Sequence, residues 1–190
     1  MQPIEQTITE ITGLLQEQGS QDYYGEPVSQ LEHMLQCALL AERAGSDNET
    51  IIAAFLHDIG HLLPAESAAG YMDGYGRSDH EQLGGDWLRQ RGFSEKIVSL
   101  VENHVNAKRY LTFKSPAYYE RLSEASRKTL EYQGGRMTAD EAYAFEHNIQ
   151  FGGILQVRRW DEQAKVPGLK TPDAQHYIQK CERHLKKRKL

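Results

Sequence analysis

The stretch AAFLHDIGH, residues 53–61, constrains the fold most strongly, because it ends an apolar helical run with polar, chemistry-bearing side chains. His57 and His61 are four residues apart and would share one helix face, whereas Asp58 would lie about 100° further round. Imidazole and carboxylate groups are rarely buried without partners. A transition-metal ion would be such a partner, since it binds both groups. The alternative is a chance pair at the exposed end of a surface helix.

Apolar residues recur at helical spacing along most of the chain, and no segment shows the alternation typical of a strand. This pattern predicts an all-α helical bundle in a single domain that spans residues 1–190. We expect Pro27 to lie in the first turn of one helix, and another helix to run from Ser94 through His104 to Lys108. Residues 62–78 are rich in glycine and form a predicted loop of a length that is usually functional.

Composition argues against several classes of protein. The net charge of −5 argues against a nucleic-acid-binding protein. Two cysteines are too few for a disulfide framework, and Cys37, on an apolar helix face, is predicted to be a buried free thiol in a reducing compartment. The chain has no 18-residue apolar run and no signal-peptide pattern at its N-terminus. We therefore expect a cytoplasmic protein that does not span a membrane; its oligomeric state stays open.

Five of the eight histidines lie within or at the ends of the central apolar helices, namely His33, His57, His61, His80 and His104. One such histidine usually has a structural role. Five of them near one aspartate are more economically explained by a metal centre. By contrast, Asp161 in the segment RRWDE would, in isolation, be interpreted as an exposed helix charge.

The order His33, His57–Asp58, Asp161 resembles the metal-binding pattern of the HD superfamily, which is all-helical and consists mostly of phosphohydrolases. The additional His80 and His104 are similar to those of its dinuclear subset. Within that subset, the stretches YYGEPVSQLEHMLQCA, GYGRSDHEQLGGDWL, VENHVNAKRYL and LSEASRKTLEYQGG closely resemble the phosphonate-cleaving HD oxygenases of the PhnZ type. The resemblance covers nearly the whole chain.

The resemblance implies a mixed-valence Fe(II)/Fe(III) pair with dioxygen as co-substrate. One iron would have four protein ligands, and one carboxylate among them would bridge to the second iron. The implied ligands of the first iron are His33, His57, Asp58 and Asp161. The second iron would share Asp58 and add His80 and His104.

The same resemblance implies a shell of residues around the substrate. Its phosphonate contacts are the kinds of donor that an anion needs. The implied phosphonate contacts are His61, Lys108, Ser126, Thr129 and Arg158, and Gln133 is a further implied substrate-binding residue. In the loop that matches the family's Tyr-x-Gly-Glu motif, Tyr23 would occupy an open iron position until substrate arrives, and Glu26 would face the amine end.

Tyr24 departs from the aliphatic residue that often follows this tyrosine in the aminoethylphosphonate enzymes. Together with Tyr71 or Tyr75, its ring could enclose a quaternary ammonium group by cation–π contact. This favours the trimethylated substrate, unless Tyr24 packs outward and has no such role.

The predicted function is therefore dioxygen-dependent cleavage of the C–P bond of a 1-hydroxy-2-(trimethylammonio or amino)ethylphosphonate. The products would be phosphate and glycine betaine or glycine. One alternative is a metal-dependent HD phosphohydrolase acting on a small phosphate ester, since the same ligands could activate water. A second is a metal-binding or nucleotide-sensing module without activity, although the dense polar shell argues against it.

Overall fold

The computed structural model describes residues 2–64 and 72–188, so Tyr71 lies outside the described residues. This part of the chain forms helices and one isolated bridge between Asp22 and Ser29, with no sheet, so the all-α prediction is confirmed. The helices are α1 (Ile4–Gln18), α2 (Gln30–Arg43), α3 (Asn48–Leu56), α4 (Ile59–Leu62), α5 (His80–Gln90), α6 (Glu95–Glu102), α7 (His104–Lys114), α8 (Pro116–Arg121), α9 (Glu124–Tyr132), α10 (Ala139–Glu146), α11 (Phe151–Gln163) and α12 (Ala174–Arg188).

Helix α3 is the centre of the bundle. It contacts α2, α6, α11 and α12, and its last seven residues are buried. A helix that is apolar on all sides is stable only inside a core, and here Phe55 packs against Tyr177 of α12 with the ring centroids 5.3 Å apart. The C-terminal end of α3 therefore places His57 in the interior of the bundle. Both cysteines are buried free thiols, as predicted for Cys37.

Helix α2 begins at Gln30, so the prediction that Pro27 starts it is wrong. Ser29 caps the helix instead: its Oγ accepts from the Glu32 N–H, and the Glu32 carboxylate accepts from the Ser29 N–H at 2.7 Å. This capping box satisfies two otherwise unpaired donors of the first turn. It places His33 at the start of α2, facing the end of α3.

Two helices that were predicted to be continuous are each broken beside a candidate ligand. The chain leaves the helical conformation at Asp58 (φ −102°, ψ 12°), between α3 and α4, and at Asn103 (φ −111°, ψ 3°), between α6 and α7. Both residues lie in the sparsely populated bridge region. Each break frees carbonyl groups of the preceding helical turn, and imidazole rings use them, as described below. In the described residues, no helix has the length and apolar character needed to cross a membrane.

Candidate metal centre

Four buried histidines are oriented by main-chain carbonyl groups. The Nδ1 atoms of His57, His80 and His104 each lie 2.8–2.9 Å from the carbonyl oxygen three residues earlier, and His33 Nδ1 lies 2.9 Å from the Ala164 oxygen. A carbonyl oxygen only accepts, so each Nδ1 carries the proton and each neutral ring has a free lone pair on Nε2. This is the outer-shell arrangement usual for histidine ligands of metals.

The four Nε2 atoms converge in two pairs. His33 and His57 approach to 3.1 Å through their Nε2 atoms, and so do His80 and His104. Two lone pairs at this distance repel each other unless a proton or a metal ion lies between them. Two ligand atoms each about 2.1 Å from one ion are separated by roughly 3.0–3.4 Å, so each pair is spaced as ligands of one ion.

The carboxylate of Asp58 lies between the two histidine pairs. Its Oδ2 is 3.4 Å from His33 Nε2 and 3.3 Å from His57 Nε2, while its Oδ1 is 3.4 Å from both His80 Nε2 and His104 Nε2. Each oxygen therefore faces a different pair. Among the described residues, Oδ2 has no hydrogen-bond partner although it is buried. A buried carboxylate with an unsatisfied oxygen fits a bound cation, since an unpaired charge there would be costly.

Asp161 completes the group around His33 and His57. Its Oδ1 lies 3.4 Å from His33 Nε2 and 3.9 Å from His57 Nε2, and its Oδ2 accepts from Arg158 Nη1 at 2.5 Å. Asp161 is only 2% exposed, so its interpretation as an exposed helix charge is wrong. Burial would raise its pKa, but the Arg158 guanidinium holds the pKa well below its usual range. The first group is then two imidazoles and two carboxylates.

The donor set fits a pair of metal ions. Burial would also raise the pKa of Asp58, but the imidazoles of His57, His104 and His33 beside it hold the pKa well below the usual range, so both carboxylates are ionised. Nitrogen and oxygen ligands without a thiolate suit iron, manganese or zinc. The two cysteines are buried and free. The geometry thus offers four ligand atoms on one side of Asp58 and three on the other.

Close packing of two helices brings the second group together. A Cβ atom on Gly60 of α4 would lie 1.9 Å from the His80 carbonyl oxygen, so only glycine allows α4 to touch α5 at this point. The contact stacks the rings of His61 and His80 with their centroids 3.8 Å apart. His61 Nδ1 accepts from the Arg77 N–H at 3.4 Å, which leaves the proton of the neutral ring on Nε2. Burial, together with the neighbouring imidazole of His80, lowers the pKa of His61 well below its usual range, so His61 is neutral.

A cavity of about 50 Å³ opens from the two groups and is lined by all the predicted site residues except His33 and His57, which lie behind them. A space of this size suits a small molecule. The predicted residues that line it are Tyr23, Tyr24, Glu26, Asp58, His61, His80, His104, Lys108, Ser126, Thr129, Gln133, Arg158 and Asp161.

Two tyrosines form the aromatic wall of the cavity. Tyr23 stacks on His33 with the ring centroids 3.9 Å apart, and burial together with the charges of Asp58 and Asp161 raises its pKa well above the ordinary value. Tyr24 faces the cavity rather than packing outward, with its ring 5.0 Å from that of His61. A Cβ on Gly76 would lie 2.5 Å from the Tyr24 ring, so this glycine makes room for it.

Two buried cations face the same space. Lys108 Nζ donates to Thr129 Oγ1 at 2.8 Å, and burial and the nearby Arg158 charge lower the pKa of Lys108 to about 7. Arg158 Nη2 is buried with no hydrogen-bond partner in the described part of the chain, and the same is true of Gln133 Oε1. An unsatisfied guanidinium nitrogen beside a cavity is suited to bind an anion.

Lys165 also lines the cavity, although it is not among the site residues predicted from the sequence. It follows α11 and pairs with Glu26 at 2.6 Å, although the two residues are 139 positions apart. Its position four residues after Asp161 is the only signal in the sequence that could have pointed to it. The residue predicted to face an amine is therefore already paired with a cation.

Comparison with known proteins agrees with this arrangement. A family model, the HD domain, matches residues 31–142. The glycine-betaine-forming 1-hydroxy-2-(trimethylamino)ethylphosphonate dioxygenase of Leisingera caerulea is 42% identical over 177 residues, covering 93% of this chain and 89% of the relative. The hydroxymethylphosphonate dioxygenase of Gimesia maris is 39% identical over 188 residues, with the same two coverages. The uncharacterized protein L432 of Acanthamoeba polyphaga mimivirus is 43% identical over 166 residues, covering 87% of this chain and 76% of the relative.

These matches extend well beyond the histidine and aspartate cluster, since they include nearly the whole chain. Together with the cluster itself, they imply that the protein uses a metal ion and dioxygen. The chain belongs to the HD-domain family, in the branch that contains the phosphonate dioxygenases.

Proposed function

We propose that the protein is a di-iron dioxygenase that cleaves the C–P bond of a 1-hydroxy-2-(amino or trimethylammonio)ethylphosphonate. One dioxygen molecule is consumed for each substrate. The primary-amine substrate gives glycine and phosphate, and the trimethylated substrate gives glycine betaine and phosphate. One proton is released, so that the atoms balance.

The observation that supports this proposal most directly is the position of the Asp58 carboxylate, with one oxygen facing each histidine pair. We assign His33, His57, Asp58 and Asp161 to one iron, and Asp58, His80 and His104 to the other. When bound, an Fe(II)/Fe(III) pair supplies the redox chemistry with dioxygen and the Lewis acidity that orients the substrate.

The cations on the opposite wall bind the phosphonate in this proposal. Arg158 Nη2 lacks a partner among the described residues, and a bound phosphonate oxygen would satisfy it. The Lys108 ammonium adds a second charge-assisted hydrogen bond, with Thr129 and Ser126 as neutral donors beside it. Gln133 offers its amide to the same group. These contacts turn the carbon that bears phosphorus towards the metal groups.

Aromatic and imidazole groups complete the cavity. Tyr23, stacked on His33, covers the ligands of the first iron and would move aside when the substrate enters. His61, whose Nε2 carries the proton, can donate a hydrogen bond to the substrate beside the second iron. Tyr24 offers a ring face to the cationic end of the substrate, and Glu26, paired with Lys165, lies at the same end of the cavity.

The test measures iron and phosphate in the same preparations. We expect about two irons per chain, and phosphate release from the two hydroxyphosphonates in the presence of dioxygen only. Release at the same rate without dioxygen would show that the protein is a hydrolase and refute the proposal. Full activity with a single bound zinc ion would also refute it.

A further inference from the structure

Lys165 holds the carboxylate that would otherwise attract a cationic substrate. Its Nζ lies 2.6 Å from Glu26 Oε1, and the same oxygen accepts from Ser123 Oγ at 2.6 Å. The side chains of Lys165 and Glu26 are 15% and 11% exposed, so water screens this pair less than a surface pair. Glu26 Oε1 thus already accepts two hydrogen bonds, one of them from a cation, before any substrate arrives.

The position of Lys165 is fixed at the edge of the cavity. Besides Glu26, its Nζ reaches Ser126 Oγ at 3.4 Å and lies 5.9 Å from the centroid of the Tyr23 ring. Both Ser126 and Tyr23 line the cavity. A ligand in this space therefore meets the Glu26–Lys165 pair, which has no net charge, rather than a lone carboxylate.

We propose that Lys165 is a specificity-determining residue that neutralises Glu26 and so widens the substrate range to hydroxyphosphonates without a cationic group. An ammonium group gains little from a carboxylate that is already paired, because it must displace the lysine or share the carboxylate with it. A substrate with only hydrogen at that end loses nothing. This inference rests on the proposed function, and it extends the function to a further substrate class.

The experiment compares two substrates with iron-loaded protein. Hydroxymethylphosphonate has no cation, and 1-hydroxy-2-aminoethylphosphonate carries a primary ammonium. For the wild type, we expect kcat/KM values within about ten-fold of each other. Lys165→Met, which removes the charge and keeps the length, should shift this ratio about ten- to a hundred-fold towards the aminated substrate, mainly through KM. Lys165→Arg should keep the wild-type ratio.

The matched control is Lys180→Met, because Lys180 pairs with Glu42 at 2.9 Å far from the cavity. In Lys180→Met, the ratio of the kcat/KM values for the two substrates should equal that of the wild type. If Lys165→Met does not fold, Lys165→Gln removes the same charge. A wild-type preference for the aminated substrate above a hundred-fold would overturn the proposal. So would a ratio in Lys165→Met that shifts no more than in Lys180→Met.

A binding measurement separates this proposal from the proposed function. Methylphosphonate and 2-aminoethylphosphonate are titrated without dioxygen into each variant, and their dissociation constants are compared. Lys165→Met should favour 2-aminoethylphosphonate by the same factor as in the kinetics. If dioxygen-dependent cleavage is absent but this shift occurs, the proposed function is wrong and the role of Lys165 stands. If cleavage occurs without this shift, the proposed function stands and the proposed role of Lys165 is wrong.

Discussion

The Asp58→Asn substitution tests the arrangement of the two groups more sharply than any other. An amide keeps the size of the carboxylate but has a single acceptor oxygen, and its NH₂ group cannot bind a metal. In the structure the two Asp58 oxygens face different histidine pairs at 3.3–3.4 Å. The variant can therefore offer a ligand to one pair only. We expect the iron content to fall from two per chain to one or fewer.

The size of the effect follows from linkage between binding and folding. An ion present at a hundred times its dissociation constant stabilises the folded state by about 2.7 kcal/mol. In a protein of this size, this raises Tm by about 5–10 °C for each ion. The wild type should show the shift for two ions, and Asp58→Asn at most the shift for one. Activity should fall at least a hundred-fold, since even the loss of an outer partner of a ligand costs ten- to a hundred-fold.

Calorimetry with and without Fe(II) under nitrogen measures the shift in Tm, and iron analysis gives the number of bound ions. Asp161→Asn is the informative comparison, because Asp161 faces only His33 and His57 and should cost one ion. Asp86→Asn, on an exposed side chain paired with Arg89, should change nothing. If Asp58→Asn retained two irons and the full thermal shift, the assignment of Asp58 as the shared ligand would be wrong.

Three further predictions concern the cavity. Lys108→Met should raise KM ten- to a hundred-fold with unchanged iron content. Arg158→Met should raise KM and also lower the iron content, because Arg158 donates a hydrogen bond to Asp161 at 2.5 Å. Unaltered KM values in both variants would contradict the anion site. Tyr24→Ile should lower kcat/KM for the trimethylated substrate three- to thirty-fold and spare the primary amine, and an equal effect on both substrates would contradict the cation–π contact. Because burial and Arg158 lower the pKa of Lys108 to about 7, its charge is lost as pH rises through 7, so kcat/KM should fall above that pH, and Lys108→Arg should abolish this limb.

The helical bundle could be predicted because the spacing of apolar residues indicates which helix faces are buried. Apart from Thr50, the buried residues of α3 are a continuous apolar run, which is typical of a helix buried on all sides. The start of α2 could also have been predicted. Ser29 and Glu32 have the spacing of a capping box, which is a stronger signal for a helix start than Pro27. That error came from choosing the weaker of two local signals.

The helix breaks at Asp58 and Asn103 could not be predicted in this way. The apolar spacing continues across both, and neither site contains proline or glycine at the break itself. What stabilises them is an interaction between a side chain and the main chain, with an imidazole Nδ1 donating to a carbonyl that the helix no longer uses. The burial of Asp161 and the pairing of Lys165 with Glu26 depend on contacts between distant segments, which local spacing does not encode.

The same local hydrogen-bonding arrangement recurs at His57, His80 and His104. Each lies where a helix ends or begins, next to a residue with φ between −102° and −114°, and each ring donates to the carbonyl three residues earlier. The orientation of these rings is therefore set within a four-residue stretch and does not depend on a distant segment. The contacts that would distinguish one phosphonate from another come instead from the segment around Tyr24 and from Lys165. We expect substitutions there to change the substrate without disturbing His57, His80 and His104, because these three rings are each held within their own four-residue stretch. His33 is the exception, since its Nδ1 donates to the carbonyl of Ala164, next to Lys165.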